Sequence, residues 1–271
     1  MTDQTFDAAL NAALVVLRRA PAGLFTDVDG TISPIVVDPA DARVPHSVKV
    51  ALRKLRGQID TVGVVSGRAA RDARRMVGVG GLTYIGNHGM EYQRGRHLSV
   101  DLSVQPFLPR IHTCIQDLAT HLQHPGVVVE DKQMSATIHY RNAAYPEQAR
   151  ATIHAAIQRC TTCQDLHIAD GRMVVNLLPP VQVNKGTAIM RIAERRRLQG
   201  IVYLGDDVTD LDGFAALRQL RALGKHTLAI AVASPEGPRE LVAQADAVID
   251  SVEAAASLFD GLSGQELRVS D

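Results

Sequence analysis

Two aspartates two residues apart, Asp27 and Asp29, end a short apolar run and are followed by Gly30 and Thr31. Carboxylates at that spacing can both reach one ligand once a strand gives way to a loop, and Gly30 lets the chain turn closely past a bound group. Three more polar loops follow apolar or helical patterns downstream. Val65-Ser66-Gly67-Arg68 ends an apolar run in a hydroxyl before a helix start, which suits an anion. Asn184-Lys185-Gly186 opens a helix with a lysine, and Gly205-Asp206-Asp207-Val208-Thr209-Asp210 ends another apolar run. Together they form a carboxylate cluster with one lysine and one serine hydroxyl. Hard oxygen donors favour Mg²⁺, which binds through few carboxylates and keeps several waters. Such a cation reverses the local field and lets an aspartate attack phosphorus, so the implied chemistry is covalent catalysis through an aspartyl phosphate. Each loop alone has a plain structural reading as a turn or helix cap. The functional case lies in the four together, in this order, at strand ends.

These loops need a sheet to bring them together. Short apolar runs at Gly23–Val28, Thr61–Ser66, Thr83–Gly86, Ile201–Gly205, Thr227–Val232 and Ala247–Asp250 read as strands. Helical patterns at Val44–Leu55, Arg68–Val77, Lys185–Arg197 and Asp210–Leu223 lie between them. Alternation of this kind predicts an α/β fold with a parallel sheet, and such sheets bind ligands outside the carboxyl ends of their strands. The N-terminal stretch reads as an amphipathic helix with Phe6, Leu10, Leu14 and Leu17 near one face.

From about Arg94 to Val183 the rhythm changes. Helices are expected at Pro106–Leu122 and Pro146–Cys160, with strands at Val127–Asp131, Ser135–Tyr140, Leu166–Ala169 and Arg172–Leu177. Asp170-Gly171 is read as a two-residue hairpin turn, which makes this block antiparallel α+β. The expected organisation is a core of 1–93 and 184–271 with an inserted domain of 94–183.

Composition narrows the class. The 271 residues are 46% hydrophobic and carry 29 basic against 29 acidic side chains, the profile of an ordinary globular chain. That balance argues against a nucleic-acid partner, and no apolar run approaches a membrane span. The N-terminus lacks a signal-peptide pattern. The three cysteines, Cys114, Cys160 and Cys163, show no disulfide framework, and Cys160-x-x-Cys163 reads as two thiols at a helix end. The expected address is the cytoplasm, and the expected state is monomeric or weakly associating.

With these residues in view, the chain resembles the haloacid-dehalogenase superfamily, whose four signature motifs the four loops match. The inserted block resembles that superfamily's large α+β cap. Over nearly its whole length the chain is similar to trehalose-6-phosphate phosphatases. The resemblance rests on Phe25–Ile35 (FTDVDGTISPI), Asp38-Pro39, VVSGR, the run Gly86–Glu91 (GNHGME), Val129–Lys132 (VEDK), Ser135, His139-Tyr140-Arg141, Val183–Gly186 (VNKG) and GDDVTD.

The resemblance implies a Rossmann-like parallel-sheet core and a Mg²⁺-dependent phosphatase acting on a small-molecule sugar phosphate, trehalose 6-phosphate. Asp27 is the implied nucleophile and Asp29 the implied acid and base. Ser66 and Lys185 would hold the phosphoryl oxygens. Asp27, the Asp29 main-chain carbonyl and Asp206 would hold Mg²⁺, with Asp207 and Asp210 supporting. Arg68, Asn87, His88, Glu91, Glu130, Lys132 and Arg141 are the implied substrate-binding residues. Alone, Glu130 and Lys132 also read as one solvated strand face, and His139 as a structural histidine.

Two departures stand out. Where the family carries a Glu-x-Arg-Pro run, this chain has Asn176-Leu177-Leu178-Pro179, and Leu211 replaces an acidic residue. Other substrates therefore stay open: sucrose 6-phosphate, a glycosyl-3-phosphoglycerate or a pseudo-disaccharide phosphate. A sugar phosphomutase would need an activating bisphosphate. A non-catalytic sugar-phosphate sensor would have lost Asp27 or Asp29, and both are present.

Overall fold

The structure is a computed structural model that describes residues 3–36, 41–171, 173–235 and 237–267. The chain divides into two compact units, Met1–Ser99 with Val183–Asp271, and Val100–Gln182. The first unit contains α1 (Asp3–Leu17), β1 (Ala22–Thr26), α2 (His46–Gln58), β2 (Thr61–Val65), α3 (Ala70–Val77), β3 (Thr83–Gly86), β4 (Glu91–Arg94) and β5 (His97–Val100), whose last residue falls at the seam. The second contains α4 (Leu108–His121), β6 (Val128–Asp131), β7 (Ala136–His139), α5 (Pro146–Arg159), β8 (His167–Gly171) and β9 (Val174–Leu178). The chain then returns to the first unit with α6 (Lys185–Arg195), β10 (Gly200–Gly205), α7 (Leu211–Ala222), β11 (His226–Val232), α8 (Arg239–Gln244), β12 (Ala247–Ile249) and α9 (Val252–Ser263).

Among the described residues, the first unit's sheet has eight strands in the order β12-β11-β10-β1-β2-β3-β4-β5. The six expected strands are all present and pair in parallel from β12 to β3. Helices cover both faces, which is why the inner strands read as continuous apolar runs. Alternate residues of β1 and β10 show the division. Leu24, Val202 and Leu204 pack with α1, α2, α3 and α9, whereas Phe25, Ile201 and Tyr203 pack with α6 and α7. In α2, the buried set Val48, Ala51, Leu52 and Leu55 follows the helical period. Phe6, Leu10, Leu14 and Leu17 of α1 all lie against the first of these layers, as the sequence pattern predicts.

The chain runs from β1 outward through β2 and β3, and from β10 outward through β11 and β12. The strand order therefore reverses between adjacent β1 and β10, and that switch point opens a crevice at their carboxyl ends. The β4–β5 hairpin is absent from the sequence reading. It turns at Gly95, with φ +62°, and β4 runs antiparallel to β3.

The second unit is α+β. Its four described strands lie in the order β6-β7-β9-β8, all antiparallel. Ala136, Ile138, Val175 and Leu177 meet Ile111, Leu118, Ile153 and Ile157 of α4 and α5. Two expectations need correction here. Asp170 and Gly171 do not form the hairpin turn; they extend β8 opposite Val175 and Val174. Asp170 is fixed there by Arg150 and His154 of α5, at 2.7 and 2.9 Å, so the turn moves beyond Gly171, with Met173 in the left-handed region. The cysteines are not three thiols. Cys114 of α4 is disulfide-bonded to Cys163, just past α5, and Cys160 keeps its thiol. The packing of α4 against that turn brings together two cysteines far apart in sequence, which removes the cysteine argument for a cytoplasmic address. No helix among the described residues is long and apolar enough to cross a membrane.

Candidate active site

The site is built at the switch point, where β1 and β10 end side by side. The Asp27 N–H donates to the Leu204 carbonyl at 2.9 Å, extending the β1–β10 ladder one residue beyond β1. Asp27 is therefore fixed to the sheet, and its buried carboxylate accepts a hydrogen bond from Lys185 Nζ at 2.9 Å. Lys185 is the first residue of α6, aimed by the Asn184 cap. Asn184 Oδ1 accepts from the Thr187 N–H at 2.8 Å, while Thr187 Oγ1 accepts from the Asn184 N–H at 2.9 Å. Gly186 lets α6 lie close to α7, since a Cβ there would overlap the Asp212 carbonyl.

Asp210 organises the fourth loop. One of its oxygens accepts from the Asp206 and Asp207 N–H groups, both at 3.0 Å. The other accepts from Lys185 Nζ at 2.7 Å and from the Tyr203 hydroxyl. Tyr203 was not among the sequence candidates. Its signal is a phenol inside an otherwise aliphatic buried strand, because such a hydroxyl needs a partner. Asp206 is also buried and accepts from Thr31 Oγ1 at 2.6 Å, linking the fourth loop to the first. Gly30 sits between them with φ +87°, and a Cβ on it would overlap the Asp206 carboxylate. The glycine is thus required both by backbone and by space.

Ligand oxygens of Asp27, Asp206 and Asp210 lie within 4.8 Å of one another, with Lys185 as the nearby cation. Asp207 is exposed, and its side chain is not among those three. Burial, with repulsion from Asp210 and Asp206, pushes the Asp27 carboxyl well above its usual range despite Lys185. Burial pushes Asp206 up to about 7, against the Thr31 hydrogen bond. Burial alone would lower the Lys185 ammonium, but Asp210 and Asp27 outweigh it and hold it above an ordinary lysine. Three buried carboxylates against one ammonium leave excess negative charge, and an all-oxygen donor set of this kind fits a small hard divalent cation.

Asp29 points differently. Its carboxylate, about a third exposed, takes a two-pronged grip from Arg68, with Nε and one terminal nitrogen each at 2.7 Å. Ser66 is buried, and its hydroxyl accepts from the Arg68 N–H at 3.1 Å, which leaves the O–H to donate elsewhere. The Gly86–Glu91 run docks on this turn, with the Asn87 N–H on the Arg68 carbonyl at 2.9 Å and the His88 N–H on the Ser66 carbonyl at 3.0 Å. Asn87 and His88 both have left-handed backbones, at φ +48° and +56°. The His88 ring covers Gly67, where a Cβ would lie 2.7 Å from the imidazole. Glu91 is buried beneath them. Its Oε1 accepts from the Ala70 N–H at the start of α3 at 2.6 Å and from Asn87 Nδ2 at 3.0 Å. Glu91 therefore braces this loop against α3.

The first unit thus brings together Asp27, Asp29, Ser66, Arg68, Asn87, His88, Glu91, Lys185, Asp206 and Asp207. Asp38 and Pro39 lie outside the described residues. Glu130, Lys132 and Arg141 belong to the second unit. Glu130 sits on β6, hydrogen-bonded to His139 Nε2 at 2.8 Å, with Lys132 Nζ 3.8 Å from the same oxygen, and Arg141 is exposed after β7. In the cross-strand row of Glu130, Thr137, Asn176 and Ala169, Thr137 Oγ1 donates to Asn176 Oδ1 at 2.8 Å.

A doubly wound parallel sheet with an inserted α+β unit, carrying D-x-D at the switch point with a helix-borne lysine beside it, is a haloacid-dehalogenase core. The sequence model described as Trehalose-phosphatase matches residues 25–246, which include all four loops, and the chain belongs to that family. The trehalose-phosphate phosphatase of Mycobacterium avium (strain 104) is 37% identical over 208 residues, covering 74% of this chain and 52% of that protein. That of Mycobacterium tuberculosis (strain ATCC 25618 / H37Rv) is 33% identical over 266 residues, covering 95% of this chain and 65% of that protein. The chain therefore spans about half to two thirds of the length of these curated relatives. In fold it is similar to the C-terminal domain of the C. albicans trehalose-6-phosphate phosphatase, with a TM-score of 0.70 at 20% identity, covering 96% of each chain.

Proposed function

We propose that this chain hydrolyses trehalose 6-phosphate to trehalose and inorganic phosphate through an aspartyl phosphate formed on Asp27. The observation that carries the reading is the buried Asp27 carboxylate at the switch point, 2.9 Å from a lysine that Asp210 also holds. A nucleophilic aspartate must be fixed and kept anionic against burial; Lys185 fixes Asp27 and offsets part of the burial, and a bound cation would supply the rest. Mg²⁺, held by Asp27, the Asp29 main-chain carbonyl and Asp206, with Asp207 and Asp210 supporting, would neutralise the carboxylates and the phosphoryl charge.

Asp27 attacks phosphorus as the bond to the sugar oxygen breaks, and protonated Asp29 gives its proton to that oxygen. Asp29 then takes a proton from water, whose oxygen attacks the aspartyl phosphate, releasing inorganic phosphate and restoring Asp27. Lys185 Nζ and the Ser66 hydroxyl hold the phosphoryl oxygens as charge develops on them. Phosphoryl oxygens compete with Asp29 for Arg68, so substrate arrival frees the acid for its task. Asn87 and His88 meet the sugar, with Glu91 fixing their loop. Glu130, Lys132 and Arg141 read the sugar from the second unit's polar sheet face.

A second reading keeps the mechanism and changes the sugar. The neutral Thr137–Asn176 hydrogen bond stands where the family carries a charge, which favours another glycosyl phosphate. The test is phosphate release from trehalose 6-phosphate, sucrose 6-phosphate, glucose 6-phosphate and glucosyl-3-phosphoglycerate, with Asp27→Asn as control. We expect preference for trehalose 6-phosphate and loss of at least about 10³-fold in turnover for Asp27→Asn. Activity on aryl phosphates alone would sink the substrate, and substantial release by Asp27→Asn would remove it as the nucleophile.

A further inference from the structure

The phosphatase reading makes no use of the second unit's sulfur chemistry, yet all three cysteines of the chain meet there. Cys114 on α4 and Cys163 after α5 are fully buried and bonded to each other. Cys160, partly exposed at the end of α5, keeps its thiol, and its Sγ lies 2.9 Å from Cys163 Sγ. All three sulfurs lie within 4.8 Å of one another. Cys163 carries no hydrogen in the disulfide, so this contact sets a sulfur with lone pairs against a disulfide sulfur. The Cys160 thiol also has a path for its proton. Thr162 Oγ1 donates to Asp117 Oδ2 at 2.9 Å, which leaves its lone pairs to accept from Cys160 Sγ–H at 3.0 Å.

We propose that Cys160, Cys163 and Cys114 form a thiol–disulfide exchange site. The Cys160 thiolate attacks Cys163 Sγ, a Cys160–Cys163 bond forms as the Cys163–Cys114 bond breaks, and Cys114 leaves as a thiolate that takes up the proton Cys160 gave away. One disulfide is lost and one gained, so no outside oxidant or reductant is needed. Cys163 is the shared partner because it touches both other sulfurs, and the C-x-x-C spacing is one that closes disulfides in redox proteins. Exchange changes what the bond holds. The Cys114–Cys163 bond ties α4 to the turn across a sequence separation of 49, whereas the alternative spans only neighbouring residues. The long-range covalent tether is then gone, and α4 is held by the packing of Ile111, Ile115 and Leu118 and by the polar contacts of Arg110 and Asp117 with Thr162.

The test is disulfide mapping of the full chain, purified without reductant. After equilibration at mildly alkaline pH, exchange is stopped with acid, the chain is unfolded and alkylated, and unreduced peptides are mapped. The wild-type chain should give both Cys114–Cys163 and Cys160–Cys163 peptides, with label shared between Cys160 and Cys114 in a ratio independent of protein concentration. Cys160→Ser should lose all label at Cys114 and keep only the Cys114–Cys163 bond. Treated with oxidised glutathione as the oxidant, Cys114→Ser should form Cys160–Cys163, with two equivalents of reduced glutathione released, and unfold at a lower temperature than Cys160→Ser. Label confined to Cys160 in the wild-type chain at every time point would overturn the proposal, even if Cys114→Ser fails to fold. So would a folded Cys114→Ser chain whose two remaining thiols both stay open to alkylation after treatment with oxidised glutathione.

Discussion

Asp206 and Asp27 are each held in conditions that disfavour their charged forms, burial first and neighbouring carboxylates next. A carboxyl raised to about 7 in the folded chain keeps its proton where the unfolded chain, at the ordinary value near 3.8, has lost it. The stability from this group is full below the unfolded value and is lost as pH rises through about 7, because the folded state binds the extra proton only below it. A divalent cation ligated by Asp206 must displace that proton, so its binding grows with pH over the same window. The rise in thermal unfolding midpoint on adding Mg²⁺ should therefore be small near about pH 6, larger near about pH 8, and level above that. A Mg²⁺ effect that is flat or falls across this range would take Asp206 out of the cation's ligands.

At the scale of elements, the first and fourth loops are locked by one glycine. Gly30 holds φ +87°, and a side chain there would overlap the Asp206 carboxylate. The left-handed backbone alone costs an alanine about 1–2 kcal/mol, and the overlap must also push Asp206 from Asp27 or unwind the loop. Gly30→Ala should lose most turnover while the chain still folds, its midpoint lowered by a few degrees; unaltered phosphate release would mean that the two loops need not touch. Gly30 was readable because D-x-D-G at a strand end has a geometric meaning. The parallel strands were readable because burial on both faces makes them apolar throughout, as in Val62, Val64 and Val65 of β2. The β4–β5 hairpin was not, since Glu91, Gln93 and Arg94 give it no apolar run. Glu91 itself was grouped with substrate ligands, yet its main partner is a backbone N–H 21 residues away in sequence, a relation no spacing reveals. That Asp210 and not Asp207 turns inward beside Asp206 also escaped the sequence. Which carboxylates turn inward depends on the single turn Val208–Asp210, which buries Asp210 and leaves Asp207 exposed. The Cys114–Cys163 bond depends on how α4 packs, and cysteine spacing does not determine pairing.

At the scale of the molecule, the chain carries two units with separate cores, and all four loops lie in the first. Chemistry and selection can then be separated by experiment. The second unit's sheet buries one face against α4 and α5 and carries exposed Glu130, buried Thr137 and half-buried Asn176 on the other, in one cross-strand row. Glu130 holds His139 and lies near Lys132 through half-exposed contacts, and surface pairs of this kind add little to stability, about 1 kcal/mol or less. Removing either should therefore leave the fold intact. If this face reads the sugar, Glu130→Ala and Lys132→Ala should raise KM for the sugar phosphate about tenfold or more, the loss of one charged hydrogen bond. Turnover of a small aryl phosphate, which offers no sugar to read, should stay near that of the unaltered chain. The ratio of the two activities is the measurement, since it cancels any loss of folded protein. Equal losses on both substrates would mean that Glu130 and Lys132 support the fold, and selection would then have to reside with Asn87 and His88.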